Sequence, residues 1–419
     1  MVSFAEPFGV HLTNKINYRQ MNILVLSTKL PYPPKDGGAI ATLNLSLGLS
    51  EAGCNVTMLT FNTKKHFFSP EEIPLNIKEK IRIECVETDT SLKLFEAFRN
   101  LFFSSKPYIS ERFNKKSFAD RLEVLLEESK FDIVQLEGPY LSHYIPVIRA
   151  LSKAKISIRA HNIEHEIWKG KAKNEQGILT RLYLMNLAKR IRKFERESFG
   201  LADMIIPISE RDENVILNMH PAIPVTTIPT GINFEDYRDY ATSTGSSIFF
   251  LGSLDWLPNQ EGLMWLKKRV LPHLIQDDDK VVMHFAGRNA PPEFLEAMKH
   301  PSLIYHGEVE DARSYMARYN IMAVPLLSGS GIRIKILEGM ALGKCVLTTT
   351  IGAEGIPVTD GENILIANDG SSFANQLKKL MSDKLLRERI SENARKFIQE
   401  NFDNFAISQR LRDFYKQQS

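Results

Sequence analysis

Cysteine is scarce in this chain of 419 residues: Cys54, Cys85 and Cys345 stand far apart, and none belongs to a CxxC or Cys/His cluster. That excludes a disulfide scaffold and a structural zinc site as organising features, and a reduced, cytoplasmic setting is the simpler expectation. Long hydrophobic runs are missing as well. None approaches the ~20 residues of a membrane-spanning helix, so a soluble protein, or one resting on the inner face of a membrane, is expected. The opening MVSFAEPFGVHLTNKINYRQ has neither an uninterrupted apolar segment nor a small-residue cleavage site, which argues against a signal peptide. Residues 1–20 read as a disordered extension, with folded structure from Met21. An excess of one charge is absent too. The 53 Lys and Arg against 50 Asp and Glu leave +3, too little to imply a nucleic-acid partner.

What is present is globular. With 43% hydrophobic and 25% charged residues, a chain of this length has material for two or three packed domains. MNILVLST (21–28) is a compact apolar run ending in polar residues, the pattern of a buried parallel strand. KLPYPPKDGGA leads from it into the helical IATLNLSLGLSEAG, closed by Gly53, and NVTMLTF reads as the next strand. This is a βαβ unit with a Gly-Gly loop where strand feeds helix. FDIVQLEG, ISIRAHN and ADMIIPIS continue the series. A second series starts near residue 225 and runs VTTIPTG, SIFFLGSL, KVVMHFAG, LIYHGEV, YNIMAVPLL, KCVLTTT and ENILIAN. The tail ISENARKFIQENFDNFAISQRLRDFYKQ reads as helical throughout.

The fold class is therefore α/β, with two doubly wound Rossmann-like domains facing across a cleft. Residues 21–225 are expected to form the N-terminal domain and 226–400 the C-terminal one, with a helix over 401–419 packing back on the first. Ligands of such sheets bind beyond the carboxyl ends of the strands, which places the site in the cleft.

One stretch carries an unusual charge pattern: SGSGIRIKILEG (328–339). A helix start offers free N–H groups and the positive end of a dipole, an anion site by construction. The glycines before Ile332 let a phosphate approach the backbone, and Arg333 and Lys335 add two full positive charges. Glu338 falls one turn beyond Lys335 on the same side. A solvated Lys–Glu pair on a surface helix has the same spacing; the Ile-flanked, Gly-preceded setting favours a buried site.

Eight short motifs, taken in order, resemble those of the retaining GT-B glycosyltransferases of group 1, the family of glycogen synthases and bacterial mannosyltransferases. They are PPKDGGA (33–39), RAHNIEHEIW (159–168), PISERD (207–212), IPTGIN (228–233), GSLDWLPNQEG (252–262), FAGR (285–288), HGEVED (306–311) and GSGIRIKILEGMALGKCVLTT. The resemblance spans residues 21 to 419. It implies transfer of a sugar from a nucleotide-diphosphate donor to a glycan, lipid-linked or polysaccharide acceptor, with the anomeric configuration kept, in cell-surface polysaccharide biosynthesis. The donor would lie on the C-terminal domain and the acceptor on the N-terminal one. No metal and no cofactor beyond the nucleotide-sugar co-substrate is implied.

By the same resemblance Glu338 binds the ribose, and His161 faces the transferring sugar. Gly37 and Gly38 supply loop backbone near the phosphates, although a plain strand–helix turn uses Gly-Gly equally well. Arg288 reaches phosphate or the rest of the donor, Val309 backbone pairs with the base edge, and Glu354 either contacts the donor or is a cleft-rim carboxylate without a substrate role. Two departures stand out. Ser330 occupies the place of a Glu that helps hold the donor sugar in many members. Ser253 and Glu261 stand where many members carry the Arg and Lys that clamp the diphosphate. The clamp is therefore expected to have moved to Arg333 and Lys335. The catalytic group is His161, Arg333 and Lys335, and the donor contacts extend over Ser253, Ser330, Gly331 and Ile332.

HNIEH also spaces two histidines as a metal-binding helix does, but a third ligand is missing. Glu164 and Glu166 read either as acceptor contacts or as solvated carboxylates. No nucleophile–base triad is visible. That fits a front-face reaction in which the leaving diphosphate oxygen takes the acceptor's proton; a transient covalent route is equally compatible. Two other functions fit the same residues: another GT-B enzyme, such as an epimerase or phosphorylase, and a catalytically silent nucleotide-sugar sensor.

Two stretches bear on the acceptor. LKLFEAFRNLFFSSKPY (92–108) sets Leu94, Phe95, Phe98, Leu101 and Phe102 on one helical face, with Lys93, Arg99 and Lys106 elsewhere. RLYLMNLAKRIRKFERES (181–198) is amphipathic and carries Lys189, Arg190, Arg192 and Lys193. Either core packing and solvated faces or contact with an anionic membrane surface accounts for such patterns.

Overall fold

Apolar runs separated by Gly-rich turns become strands that all point the same way. In the computed structural model, β1 (Asn22–Ser27), β2 (Asn55–Thr63), β3 (Ile81–Thr88), β4 (Ile133–Glu137), β5 (Lys155–Ala160) and β6 (Met204–Pro207) form one parallel sheet. Its order is β3-β2-β1-β4-β5-β6. A second parallel sheet takes β7 (Ile248–Leu251), β8 (Met283–Ala286), β9 (Leu303–Tyr305), β10 (Ile321–Val324), β11 (Cys345–Thr348) and β12 (Leu365–Ile366) in the order β12-β11-β10-β7-β8-β9. Counted within its own domain, each sheet repeats one order: third, second, first, fourth, fifth, sixth. The winding reverses between β1 and β4 in one sheet and between β7 and β10 in the other, and ligands bind at such reversals. The structure describes residues 20–91, 93, 95, 99–100, 104, 106–240, 245–276, 281–329 and 331–418. The extension expected at the N-terminus, Gln20 excepted, and Leu94, Phe98, Leu101 and Phe102 of the first amphipathic stretch lie outside them.

Helices cover both faces of each sheet, so the central strands read as unbroken apolar runs. Every residue of β4, β10 and β11 is buried. The chain crosses between domains twice. At the first crossing VTTIPTG does not open the second sheet, as the periodicity predicts; Val225 bridges Ile205, and Ile228 N donates to Pro207 O at 2.9 Å, so this segment edges β6. At the second, the tail is not one helix. It breaks at Phe402 because Ile232 N donates to Phe402 O at 2.8 Å and Asn404 N to Ile232 O at 3.0 Å, tying the two crossings together.

Beyond the break, the Asn404–Gln418 helix lies on the N-terminal domain, across the Gly37–Glu51 helix at Gly48. A Cβ there would sit 2.1 Å from Ser408 Oγ. Ile407, Leu411 and Tyr415 close the core around Leu43, Leu45 and Leu49; each such burial contributes about 1.5–3 kcal/mol. Among the described residues no helix is long and apolar enough to cross a membrane.

Candidate functional site

The two reversal points face each other. Asp36 caps the Gly37–Glu51 helix, accepting from Ala39 N at 3.0 Å and pairing with Lys29 Nζ at 2.6 Å. Burial pushes its carboxyl up, but Lys29 holds it below its ordinary value. A Cβ built on Gly37 would meet Ile334 Cδ1 at 3.4 Å, and one on Gly38 would meet Lys29 Nζ at 3.8 Å. Ile334 opens the Ile334–Ala341 helix of the other domain. The two glycine-rich loops singled out in the sequence therefore touch across the cleft.

Arg333 sits at the cap of that helix and is 5% exposed. Its Nη1 donates to the Gly331 carbonyl, while Nε and Nη2 are buried without a protein partner. Nη2 lies 3.3 Å from the Cβ position of Gly329, and the Trp256 ring lies 3.2 Å from the same point. Gly329 and Gly331 take φ of +109° and +80°, where side chains are disfavoured. A Cβ on Gly331 would also fall 2.5 Å from Asn162 Oδ1, so this loop reaches the residue that follows His161. Burial lowers the Arg333 guanidinium to about 10, with Glu354 acting the other way; it keeps its charge at neutral pH. A buried cation with two unsatisfied N–H edges is costly unless an anion meets it.

Lys335 lies under the loop that follows β7. Its Nζ donates to Asn259 Oδ1 at 2.8 Å and stands 4.5 Å over the Phe250 ring, and a Cβ on Gly252 would be 2.4 Å from it. Asn259 Nδ2 donates in turn to Ser253 O at 2.7 Å. Burial, reinforced by Arg333, drops the ammonium to about 7. Glu338 accepts from Tyr237 Oη at 3.1 Å, and burial raises its carboxyl.

The other donor positions sort as follows. Arg288 Nε donates to Ser253 Oγ at 3.2 Å, and Ser253 Oγ to Asp255 Oδ1 at 2.6 Å; a guanidinium from the end of β8 thus reaches the place at 253 where the family pattern has an Arg. Ile332 and Val309 pack their side chains against the C-terminal core. Glu261 accepts from Ser328 Oγ at 2.7 Å. Glu354 is paired across the cleft with Arg211 Nε at 3.4 Å, and Arg211 also holds Glu166 and Asp212. Ser330 lies outside the described residues.

On the N-terminal wall His161 is backed by a buried polar network. Glu137, at the end of β4, accepts from His161 Nε2 at 2.6 Å and Thr42 Oγ1 at 2.8 Å, with Arg159 Nη1 at 3.5 Å. Burial pushes the Glu137 carboxyl up, but Arg159 and His161 hold it down at about 2. Gln135 links Glu137 to Tyr415 Oη, which donates to Gln135 Oε1 at 2.6 Å, so the network runs back to the C-terminal helix. His165 has a carboxylate of its own, Glu195, at 2.6 Å. The two histidines of HNIEH are thus tied to separate glutamates, and among the described residues no group of three His, Cys, Asp or Glu is placed to hold a metal ion. Glu164 accepts from Tyr140 Oη at 2.9 Å, and burial raises its carboxyl to about 7. Neither Glu164 nor Glu166 is simply solvated.

Sequence reading missed Glu137, Arg159, Tyr237, Trp256 and Asn259. For the first two a signal existed: Glu137 and Arg159 stand at the inner end of the apolar runs IVQLE and ISIRA, a place where charge is tolerated only with a partner.

Comparison with known proteins agrees with this geometry. A family profile described as "Glycosyltransferase Family 4" matches residues 35–236, and one described as "Glycosyl transferases group 1" matches 245–383. An uncharacterised 44.6 kDa protein in the cps region of Klebsiella pneumoniae is 26% identical over 91% of this chain and 96% of its own length. The capsular polysaccharide biosynthesis glycosyltransferase CapM of Staphylococcus aureus is 27% identical over 29% of this chain and 33% of its own. Among solved structures, sucrose-phosphate synthase of Thermosynechococcus elongatus superposes with a TM-score of 0.69 at 17% identity, over 95% of this chain and 99% of that one. HepE of Anabaena, solved with UDP, gives 0.64 at 15% identity over 95% and 100%. The profiles cover one domain each, the superpositions run through both, and the chain belongs to the group 1 glycosyltransferases of GT-B architecture.

Proposed function

We propose that the protein transfers a sugar from a nucleoside diphosphate donor to a hydroxyl of a glycan or lipid-linked acceptor, with retention at the anomeric carbon, in building a cell-surface polysaccharide. One observation carries the donor half: Arg333, buried and with two N–H edges unmatched, at the mouth of a glycine loop that meets DGG. A diphosphate supplies the anion those edges lack. Lys335 and Arg288 add charge from below and beside, and the backbone of Gly37, Gly38, Ser330, Gly331 and Ile332 lines the approach. Glu338 takes the ribose hydroxyls, in part exchanging its bond from Tyr237, and Val309 backbone takes the base.

In the transfer, the bond from the sugar C1 to the β-phosphate oxygen breaks and a bond from the acceptor oxygen to C1 forms. The acceptor's proton leaves on the diphosphate. His161, fixed by Glu137, faces the sugar. The capsular polysaccharide biosynthesis named for the Staphylococcus relative supports the pathway class, and the UDP bound by HepE supports the donor class.

Incubation with a panel of nucleotide sugars tests this. Nucleoside diphosphate release, with the product's anomeric coupling by NMR matching the donor's, is the expected result. Tight binding without turnover on any acceptor would instead make the protein a sensor, and an inverted product would remove the retaining mechanism.

A further inference from the structure

Immediately after His161 the chain leaves the cleft as a helical hairpin, Glu164–Asn174 and Ile178–Gly200. Its root is fixed. Buried Glu195 accepts from Glu164 N at 2.7 Å, His165 N at 3.1 Å and His165 Nδ1 at 2.6 Å. Its tip is not. Seventeen residues toward the helix start, about 26 Å away, the side chains leave the protein body. Ile178 is 76% exposed, Leu179 83%, Leu182 59%, Tyr183 43% and Met185 45%. Single exposed apolar side chains need no explanation, but five in two turns form a patch with a purpose.

Charge separates the possible partners. Between Ile167 and Phe194 the chain has eight cations, Lys169, Lys171, Lys173, Arg181, Lys189, Arg190, Arg192 and Lys193, against the single acid Glu175. The whole protein is nearly balanced at +3, so the excess is local. Glu175 is turned back onto Gly177 N at 2.8 Å. Seven of the eight cations are exposed. Arg190 instead reaches the Asn100, Ser104 and Lys106 carbonyls, which brings the other amphipathic stretch alongside, where Phe95 is 78% exposed.

A surface that is apolar at its end and cationic along its length, from Arg181 at the tip and Lys169, Lys171 and Lys173 on the neighbouring helix to Lys189 and Arg192 nearer the root, matches the boundary of an anionic bilayer. There the hydrocarbon takes the leucines, and lipid phosphates meet the lysines. A nucleic acid would satisfy the cations and leave the apolar end in water. A second copy of this chain would bring like charge against like charge.

We propose that this tip docks the enzyme on an anionic lipid surface, holding the acceptor wall of the cleft toward the membrane. The proposal rests on the acceptor side of the function above. Its failure is separable, because vesicle binding is read without donor and nucleotide release is read without vesicles.

The test is flotation of the full chain with vesicles of phosphatidylglycerol and phosphatidylcholine in equal parts, and of phosphatidylcholine alone, at low and high salt. Binding to the anionic vesicles that weakens at high salt is expected. Leu179→Ser/Leu182→Ser/Met185→Ser and Lys171→Gln/Lys173→Gln/Arg181→Gln should each lower it about tenfold or more, with circular dichroism and donor hydrolysis unchanged. No flotation at low salt, equal flotation of both variants and the parent, or a dimer in sedimentation that the serine variant dissolves without any vesicle binding, would each overturn the proposal.

Discussion

Arg333→Met keeps the side chain's length and removes its charge, and it should move stability and binding in opposite directions. Burial takes the guanidinium from 12.5 to about 10, which corresponds to about 3 kcal/mol against the charged form in the empty protein. At neutral pH the residue is charged in both folded and unfolded states, so this cost weighs wholly on the folded one. Losing the bond to Gly331 O returns about 1 kcal/mol of that. A net gain of about 1–2 kcal/mol follows, or roughly 2–8 °C in the melting of the C-terminal domain. The two orphan edges, Nε and Nη2, would each make a charge-assisted bond of about 1.5–3 kcal/mol to a diphosphate. Their loss should weaken a nucleoside diphosphate about a hundredfold or more. Thermal melts of parent and variant with and without UDP, GDP and ADP read both effects. The parent's transition should rise with its cognate nucleotide; the variant's should start higher and stay put. A variant that melts lower and still binds as the parent does would refute the idea that this charge is kept for an anion.

Three further outcomes follow from groups on both sides of the cleft. Lys335 is held at about 7, against its ordinary 10.5, so between those values the unfolded chain carries a proton the folded one lacks. Its contribution to stability therefore rises with pH across that window. Donor binding, which needs the ammonium, should weaken about tenfold per pH unit above about 7; a donor KM flat with pH in the parent would remove Lys335 from the diphosphate site. Glu137, held at about 2 against 4.5, stabilises the fold above pH 4.5 and loses that effect as pH falls toward 2. Glu137→Gln leaves Arg159 buried without a counter-charge, about 3–5 kcal/mol in urea unfolding, and frees the imidazole. The folded variant should lose kcat with donor KM unchanged, and an unchanged kcat would make the network structural only. Gly331→Ala, at φ +80° and with a Cβ 2.5 Å from Asn162 Oδ1, should lower kcat/KM about tenfold or more, with the melt falling by a few degrees from about 1–2 kcal/mol of left-handed backbone strain. Asn162→Gly should recover part of the loss; full activity in the single variant would show that the two domains need not touch there.

How much of this was legible follows from range. The strands, their direction and the paired α/β domains could be read because burial on both faces writes a continuous apolar run, as in MNILVLST and YNIMAVPLL. The charged loop at 328–339 could be read because glycine and cation patterns are local. What escaped depends on contacts between distant residues. VTTIPTG has strand composition, and only its register against β6 assigns it to the first sheet. The tail keeps helical periodicity across Phe402; the bonds to Ile232 break it, and Asp403 then caps the next helix by accepting from Ala406 N at 2.9 Å. Tyr237 meets Glu338 over 101 residues, Asn259 meets Lys335 over 76, and Arg288 meets Ser253 over 35; no window on the sequence contains such pairs.

On the function proposed above, the diphosphate clamp is held by geometry where residue identity has changed. Position 253 is Ser, yet Arg288 brings its guanidinium there from the end of the neighbouring strand β8. Parallel strands put their carboxyl ends side by side, so a cation can move from one loop to the next and still reach the same anion. Glu261, standing where the pattern has a Lys, accepts from Ser328 and helps fix the glycine loop that presents Arg333. On that proposal, what the cleft has to preserve is the positive potential at the point where two sheet reversals meet, bordered by Arg333 and Lys335 from the 328–339 segment and by Arg288 from the loop after β8. The same proposal accounts for the departures at positions 253 and 261, since three cations still stand around the glycine-lined mouth of the cleft.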